Sequence, residues 1–181
     1  MTECIALIRG INVGKAKRIA MADLRAMVAG LGHGNVRTLL NSGNIVFQAT
    51  RPNAGKLAAA IQAGIENECG VSARVVVFTA AELADVVQHN PLREVATDPS
   101  RFLVAFASQP GVLAKAAPLV KEPFAPDRLV IGTRVAYLWC ASGILDSKLL
   151  KAFSKATGDA TTARNWTTVL KLHAMATGQD A

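Results

Sequence analysis

Four short polar segments of this chain carry residues that could hold an anion. Arg9-Gly10-Ile11-Asn12-Val13-Gly14-Lys15 and Asn41-Ser42-Gly43-Asn44 interrupt otherwise apolar strands in the first 50 residues. Ser147-Lys148 and Thr162-Ala163-Arg164-Asn165-Trp166, nearer the C-terminus, repeat the mixture of cations and side-chain amides. Arg9, Lys15, Lys148 and Arg164 would supply charge, and Asn12, Asn41, Asn44 and Asn165 would supply hydrogen bonds. A guanidinium such as that of Arg164 can grip phosphate or carboxylate through paired N–H groups. Free backbone amides in a glycine loop such as Gly10 to Gly14 can form an anion-binding nest. These residue types support recognition of negative charge and do not specify a reaction.

Each segment also has a plainer reading. Gly10 and Gly14 could serve only a tight turn, with Lys15 solvated, and Asn41-Ser42-Gly43-Asn44 is ordinary hairpin chemistry. Asn165 could cap a helix while Trp166 packs as core. Lys148 at a helix start places a cation at the positive end of the dipole, a cost of a few tenths of a kcal/mol that points weakly toward an anionic partner.

Stronger catalytic patterns are missing. A phosphate loop needs G-x-x-x-x-G-K followed by Ser or Thr; Gly10 to Lys15 is one residue short and Ala16 replaces the hydroxyl. His33, His89 and His173 are far apart, H-E-x-x-H does not occur and the cysteines lack ligand spacing, so no metal is expected. Neither G-x-S-x-G nor S-x-x-K appears. Asp146-Ser147-Lys148 is the one acid, hydroxyl and amine cluster, but adjacency along a chain does not make a triad. No cofactor is implied.

The elements that must position these segments follow from hydrophobic period. Ile5 to Ile8 form a buried-strand run, and Met21, Leu24, Met27, Val28 and Leu31 recur at helical spacing before Gly30, Gly32 and Gly34. Val36 to Leu40 and Ile45 to Phe47 flank the second polar segment and predict a hairpin. Leu57, Ile61 and Ile65 predict a helix and Val75 to Phe78 a strand. The order β-α-β-β-α-β is the ferredoxin-like split motif. A helix over 80–88 and the turn pairs Asn90-Pro91 and Asp98-Pro99 read as a linker. Beyond it, strands at Phe102 to Phe106, Leu129 to Ile131, Val135 to Cys140 and Thr161 to Ala163 alternate with a short helix broken near Pro118 and a helix carrying Leu149, Leu150 and Phe153. The element order repeats, and a last helix holds Trp166, Val169, Leu170 and His173.

The expected fold is therefore α+β, with two ferredoxin-like (βαββαβ-type) subdomains and a C-terminal helix: 1–79, a helix and linker over 80–100, and 101–181. In the first subdomain the topology brings the loop after strand one and the hairpin tip to one sheet edge, placing Arg9, Asn12 and Lys15 near Asn41, Ser42 and Asn44. The same reasoning places Ser147 and Lys148 near Arg164 and Asn165 at the opposite edge in the second half, and a cleft between the halves would join the clusters.

Composition sets the outer bounds. A chain of 181 residues with 51% hydrophobic and 18% charged residues can bury roughly 70% of its extended-chain surface and is globular. Twenty Lys and Arg against 13 Asp and Glu leave a net charge of +7, a bias toward anions. Cys4, Cys69 and Cys140 are odd in number and sit in or beside apolar runs, which fits a reducing cytoplasm better than a disulfide framework. No basic leader opens the chain and no apolar run reaches the ~20 residues of a membrane span, so an exported or embedded protein is not expected.

The motifs resemble family 1697 of the domains of unknown function, small bacterial proteins. The resemblance rests on Leu7-Ile8-Arg9-Gly10-Ile11-Asn12-Val13-Gly14, Met21-Ala22-Asp23-Leu24-Arg25, Asn41-Ser42-Gly43-Asn44-Ile45-Val46-Phe47, Asn90-Pro91-Leu92, Ser147-Lys148-Leu149 and Thr162-Ala163-Arg164-Asn165-Trp166-Thr167-Thr168-Val169. It implies two α+β subdomains. It also implies signature positions at Arg9, Asn12, Gly14, Asn41, Ser42, Gly43, Asn44, Ser147, Lys148, Arg164, Asn165 and Trp166. One departure is Leu39-Leu40-Asn41, where the family often has Tyr-Ile-Gln. The resemblance supplies no reaction. The leading expectation is a small anionic ligand such as a nucleotide or phosphorylated metabolite; the rivals are nucleic-acid binding and an enzyme acting on an anionic substrate.

Overall fold

In a computed structural model, residues 1–12, 18–109 and 111–179 are described. Contacts divide the chain into two units, Met1–Ala84 with the C-terminal stretch from Lys171, and Asp85–Leu170. The first unit runs β1 (Thr2–Arg9), α1 (Met21–Gly30), β2 (Gly34–Leu39), β3 (Asn44–Ala49), α2 (Ala54–Cys69) and β4 (Arg74–Thr79), followed by α3 (Ala80–Gln88). Its antiparallel sheet has the order β2-β3-β1-β4. The second unit holds β5 (Phe102–Ala107), a 3₁₀ segment (Val112–Lys121), β6 (Arg128–Ile131), β7 (Val135–Trp139), α4 (Lys148–Thr157) and β8 (Thr161–Asn165), and α5 (Trp166–Thr177) begins in it. Its sheet order, β6-β7-β5-β8, repeats that of the first. Two βαββαβ-type units with a C-terminal helix are thus the fold.

Strand alternation assigns the layers. In β1, Cys4, Ala6 and Ile8 join Ile45, Phe47, Val75 and Val77 against Leu24, Met27 and Val28 of α1 and Ile61 and Ile65 of α2. The alternate residues Ile5, Leu7, Val46, Val76 and Phe78 line the second face and are also buried. In the second unit Leu103, Ala105, Ala136 and Leu138 pack against Leu113 and Ala116 of the 3₁₀ segment and Leu149 and Phe153 of α4. Pro118 lies inside the 3₁₀ segment, where a missing N–H and a fixed φ disfavour a regular α-helix.

Long-range side-chain bonds tie distant segments within each unit. Arg37 Nη1 donates to the Met175 carbonyl at 2.9 Å in the first unit. Tyr137 Oη donates to the Val86 carbonyl at 3.1 Å in the second.

Candidate functional site

The end of the first sheet brings together the loop after β1 and the tip of the β2–β3 hairpin. Leu7 pairs with Asn44, and the Ile8 N–H donates to the Gly43 carbonyl at 2.8 Å. Asn12 then ties three points. Its side-chain oxygen accepts from the Ile19 N–H at 2.8 Å, and its NH₂ group donates to the Ile19 carbonyl at 3.1 Å and the Asn41 carbonyl at 2.8 Å. Both amide protons are used. Asn12 has φ +55°, a left-handed conformation that asparagine tolerates. The clasp fixes both ends of the segment between it and Ile19, whose sequence carries Lys15, Lys17 and Arg18. Gly14 and Lys15 themselves lie outside the described residues.

The hairpin tip is built around its own polar residues. Asn44, fully buried, donates to the Leu39 carbonyl and the Ser42 hydroxyl, each at 3.0 Å. Gly43 has φ +77°, and an added Cβ would sit 2.8 Å from the Ile8 Cβ, so glycine is demanded twice over. Leu40 also has positive φ, +58°, yet is 57% exposed; an exposed leucine held there costs about 1–2 kcal/mol. Asn41 and Ser42 are exposed.

Beside this clasp is a cavity of ≈ 480 Å³ lined by Asn12, Arg18, Ile19, Ala20, Met21 and Asn41. It lies at the start of α1, where Ala20 offers no side-chain cap. The other helices are capped: α2 by Asn53, α3 by a reciprocal Thr79–Glu82 box, α4 by Ser147 and α5 by Asn165. A second cavity of ≈ 390 Å³ shares Arg18, Ile19 and Ala20 and adds Asp23, Glu68 and Cys69. Burial, then the carboxylates of Glu68 and Asp23, push the Cys69 thiol above its usual range. Arg9 pairs across the ladder with Arg74, both exposed. Like charges directly opposite are unfavourable.

In the second unit the predicted residues serve mostly as structure. Ser147, buried, donates to Asp127 Oδ2 at 2.7 Å while accepting from the Leu150 N–H at 3.0 Å, and Asp127 Oδ1 accepts from the Ala141 N–H at 2.9 Å. Asn165 accepts from the Thr168 N–H at 2.9 Å, and the Trp166 ring packs on Phe102 with centroids 5.0 Å apart. Arg164 pairs with Val104 and Leu103 pairs with Asn165. Because Leu103 faces α4, Arg164 projects from the opposite face. Strand parity thus sets Arg164 on the sheet face opposite the one that packs on α4, the helix that Ser147 caps. Arg164 Nη1 donates to the Thr162 hydroxyl and the Ala163 carbonyl, both at 2.9 Å. Its outer edge meets solvent, yet protein surrounds the guanidinium, and that desolvation lowers its pKa to about 10.

Arg18, Ile19, Ala20 and Met21 line the first site, and none of them was a predicted site residue. The available signals were a helix starting at Met21 with alanine where a capping residue belongs, and a third cation close behind Lys15. Among the described residues no group of three or more His, Cys, Asp or Glu is placed to hold a metal ion, and no described helix is long and apolar enough to cross a membrane.

A pair of α+β units of this kind is also the fold of a solved relative. Residues 1–137 match the family described as a protein of unknown function, DUF1697, and the chain belongs to that family. A conserved bacterial protein from Streptococcus pneumoniae of known structure is 21% identical, covers 97% of this chain and 98% of its own, and superposes with a TM-score of 0.75. At that identity the likeness concerns the fold alone. No curated protein matches the chain.

Proposed function

We propose that the protein binds a small anionic ligand, bearing phosphate or carboxylate, in the cavity beside the Asn12 clasp. The observation that carries this reading is the ≈ 480 Å³ cavity with Arg18 in its wall and Asn12 holding that wall to the hairpin. A volume of this size suits a small molecule. The start of α1, lacking a side-chain cap, adds amide donors and the positive end of a helix dipole. Arg9 and Arg74 raise the local potential. Within this reading Asn12, Asn44 and Gly43 build the site, and Arg18 and the Asn41 side chain contact the ligand. Arg164 is a separate point of anion contact in the second unit, where a charged ligand would offset the desolvation of its guanidinium.

The nucleic-acid reading through exposed sheet aromatics is not favoured, since Phe47, Phe78, Phe102, Phe106, Tyr137 and Trp139, the aromatics of the described strands, are all buried. Isothermal titration of the whole chain with inorganic phosphate, pyrophosphate and a nucleoside monophosphate tests the proposal. At least one should bind with Kd below about 1 mM, equivalent to about 4 kcal/mol, and Arg18→Gln should weaken it at least tenfold. Absence of binding by all three, or equal binding by the variant, would refute it.

A further inference from the structure

The helix layer of the second unit presents a cationic face unrelated to the clasp. In α4, Leu149, Phe153 and Thr157 are buried, while Lys148, Lys151, Ser154 and Lys155 are exposed. At 3.6 residues per turn the three lysines fall within about 60° of one another and span about 10 Å of the axis. From Ser147 to Gly158 the chain contains no acid; Asp146 and Asp159 flank it. None of the three lysines forms a salt bridge or side-chain hydrogen bond among the described residues. The neighbouring 3₁₀ segment, which packs with α4, adds exposed Lys115 and Lys121.

We infer that this lysine face is a docking surface for the phosphate backbone of duplex nucleic acid. Like charges gathered on one helix face repel, and a polyanion converts that repulsion into attraction while releasing condensed counterions. Its composition selects among polyanions. The cores of protein interfaces are depleted in lysine and are anchored by aromatic residues and arginine, and the exposed face here is lysine and serine. Insertion of an amphipathic helix into a membrane needs a free apolar face, and the apolar face of α4 is committed to the second unit's core. Single strands stack on exposed aromatics, and those of the described strands are buried. What is left is a sequence-independent grip on phosphates by mobile point charges.

The test is fluorescence anisotropy of a labelled ~20-bp duplex of arbitrary sequence, titrated with the whole chain between ~50 and ~200 mM salt. The wild type should bind at the low end, and Lys148→Gln/Lys151→Gln/Lys155→Gln should lose at least tenfold in affinity with an unchanged melting temperature. The slope of log K against log salt should become shallower by about 2.7, three phosphate contacts at about 0.9 each. Should the triple variant fail to fold, Lys151→Gln alone should flatten the slope by about 0.9. Arg18→Gln should leave duplex binding intact, which keeps this outcome separate from that of the clasp site. Equal duplex binding by wild type and variant would overturn the inference. So would no duplex binding at low salt, or lysine-dependent binding confined to phosphatidylserine vesicles or polyglutamate.

Discussion

In the first unit the carboxamide of Asn12 joins the loop after β1, the approach to α1 and the hairpin tip, and a cavity lies beside the junction. In the second unit the carboxylate of Asp127 and the hydroxyl of Ser147 join the start of β6, the end of β7 and the start of α4, and the neighbouring helix is capped by the same atoms. The two junctions lie at opposite ends of equivalently ordered sheets, and each gathers three chain segments through side-chain polar groups. The difference lies in what the polar groups satisfy. Around Ser147 they satisfy a helix end; around Asn12 they hold a loop while the nearby start of α1 has no side-chain cap. A short polar motif thus becomes a site or a brace according to whether its neighbours' donors have already been answered.

The largest effect should come from the hairpin tip. Gly43→Ala places a Cβ 2.8 Å from the Ile8 Cβ in a left-handed backbone, and the two penalties together should cost about 3 kcal/mol in urea unfolding. A loss under about 1 kcal/mol would show that the tip relaxes freely, and the contrast between a rigid Asn12 junction and the Ser147 brace would disappear with it.

Next come paired truncations that sharpen the contrast. Asn12→Ala strips partners from Ile19 and Asn41, and Ser147→Ala removes a cap and a donor to Asp127, so each should cost about 2 kcal/mol. Only Asn12→Ala should also weaken phosphate or pyrophosphate binding by titration. Equal loss of binding in both variants would mean that stability, not position, governs affinity.

Much of this arrangement was legible in the sequence. Ile5 to Ile8, the i, i+4 spacing of Leu57, Ile61 and Ile65, and the Asn-Ser-Gly-Asn turn specify strand, helix and hairpin through short-range chemistry, and strand order then follows from topology. The register of Val104 with Arg164 was not legible, because a face is decided by a pairing between strands 60 residues apart. Nor was the saturation of Asn12, which depends on Ile19 and Asn41 arriving within 3.1 Å. Nor does any local pattern announce the bond from Arg37 to the Met175 carbonyl, made across most of the chain's length.

A smaller effect, of opposite sign, is expected at Arg164. Desolvation holds its pKa near 10, so at neutral pH the charged guanidinium is retained at a cost in the folded state. Arg164→Met should therefore leave the ligand-free protein equally stable or about 1 kcal/mol more stable by thermal or urea unfolding, after loss of its bonds to Thr162 and Ala163 is counted. A loss above about 1 kcal/mol would make Arg164 a brace like Ser147.

The smallest effect is a pH dependence, and it too separates the units. Burial first, then the carboxylates of Glu3 and Glu82, raise the Cys4 thiol from 9.0 to about 11. The folded state therefore keeps its proton where the unfolded chain releases it, and stability should be full below pH 9.0 and fall as pH rises toward about 11. Cys4→Ala should flatten that alkaline limb in a series of urea midpoints. Cys140 is raised by burial as well, with a hydrogen bond involving Ser147 acting against the shift. Ser147→Ala should thus push the Cys140 thiol higher and slow its alkylation further, while half-buried Cys69, beside the first unit's second cavity, reacts first. Faster alkylation of Cys140 in Ser147→Ala would show that the Asp127–Ser147 brace opens when its hydroxyl is lost, and the second unit would then be the looser of the two.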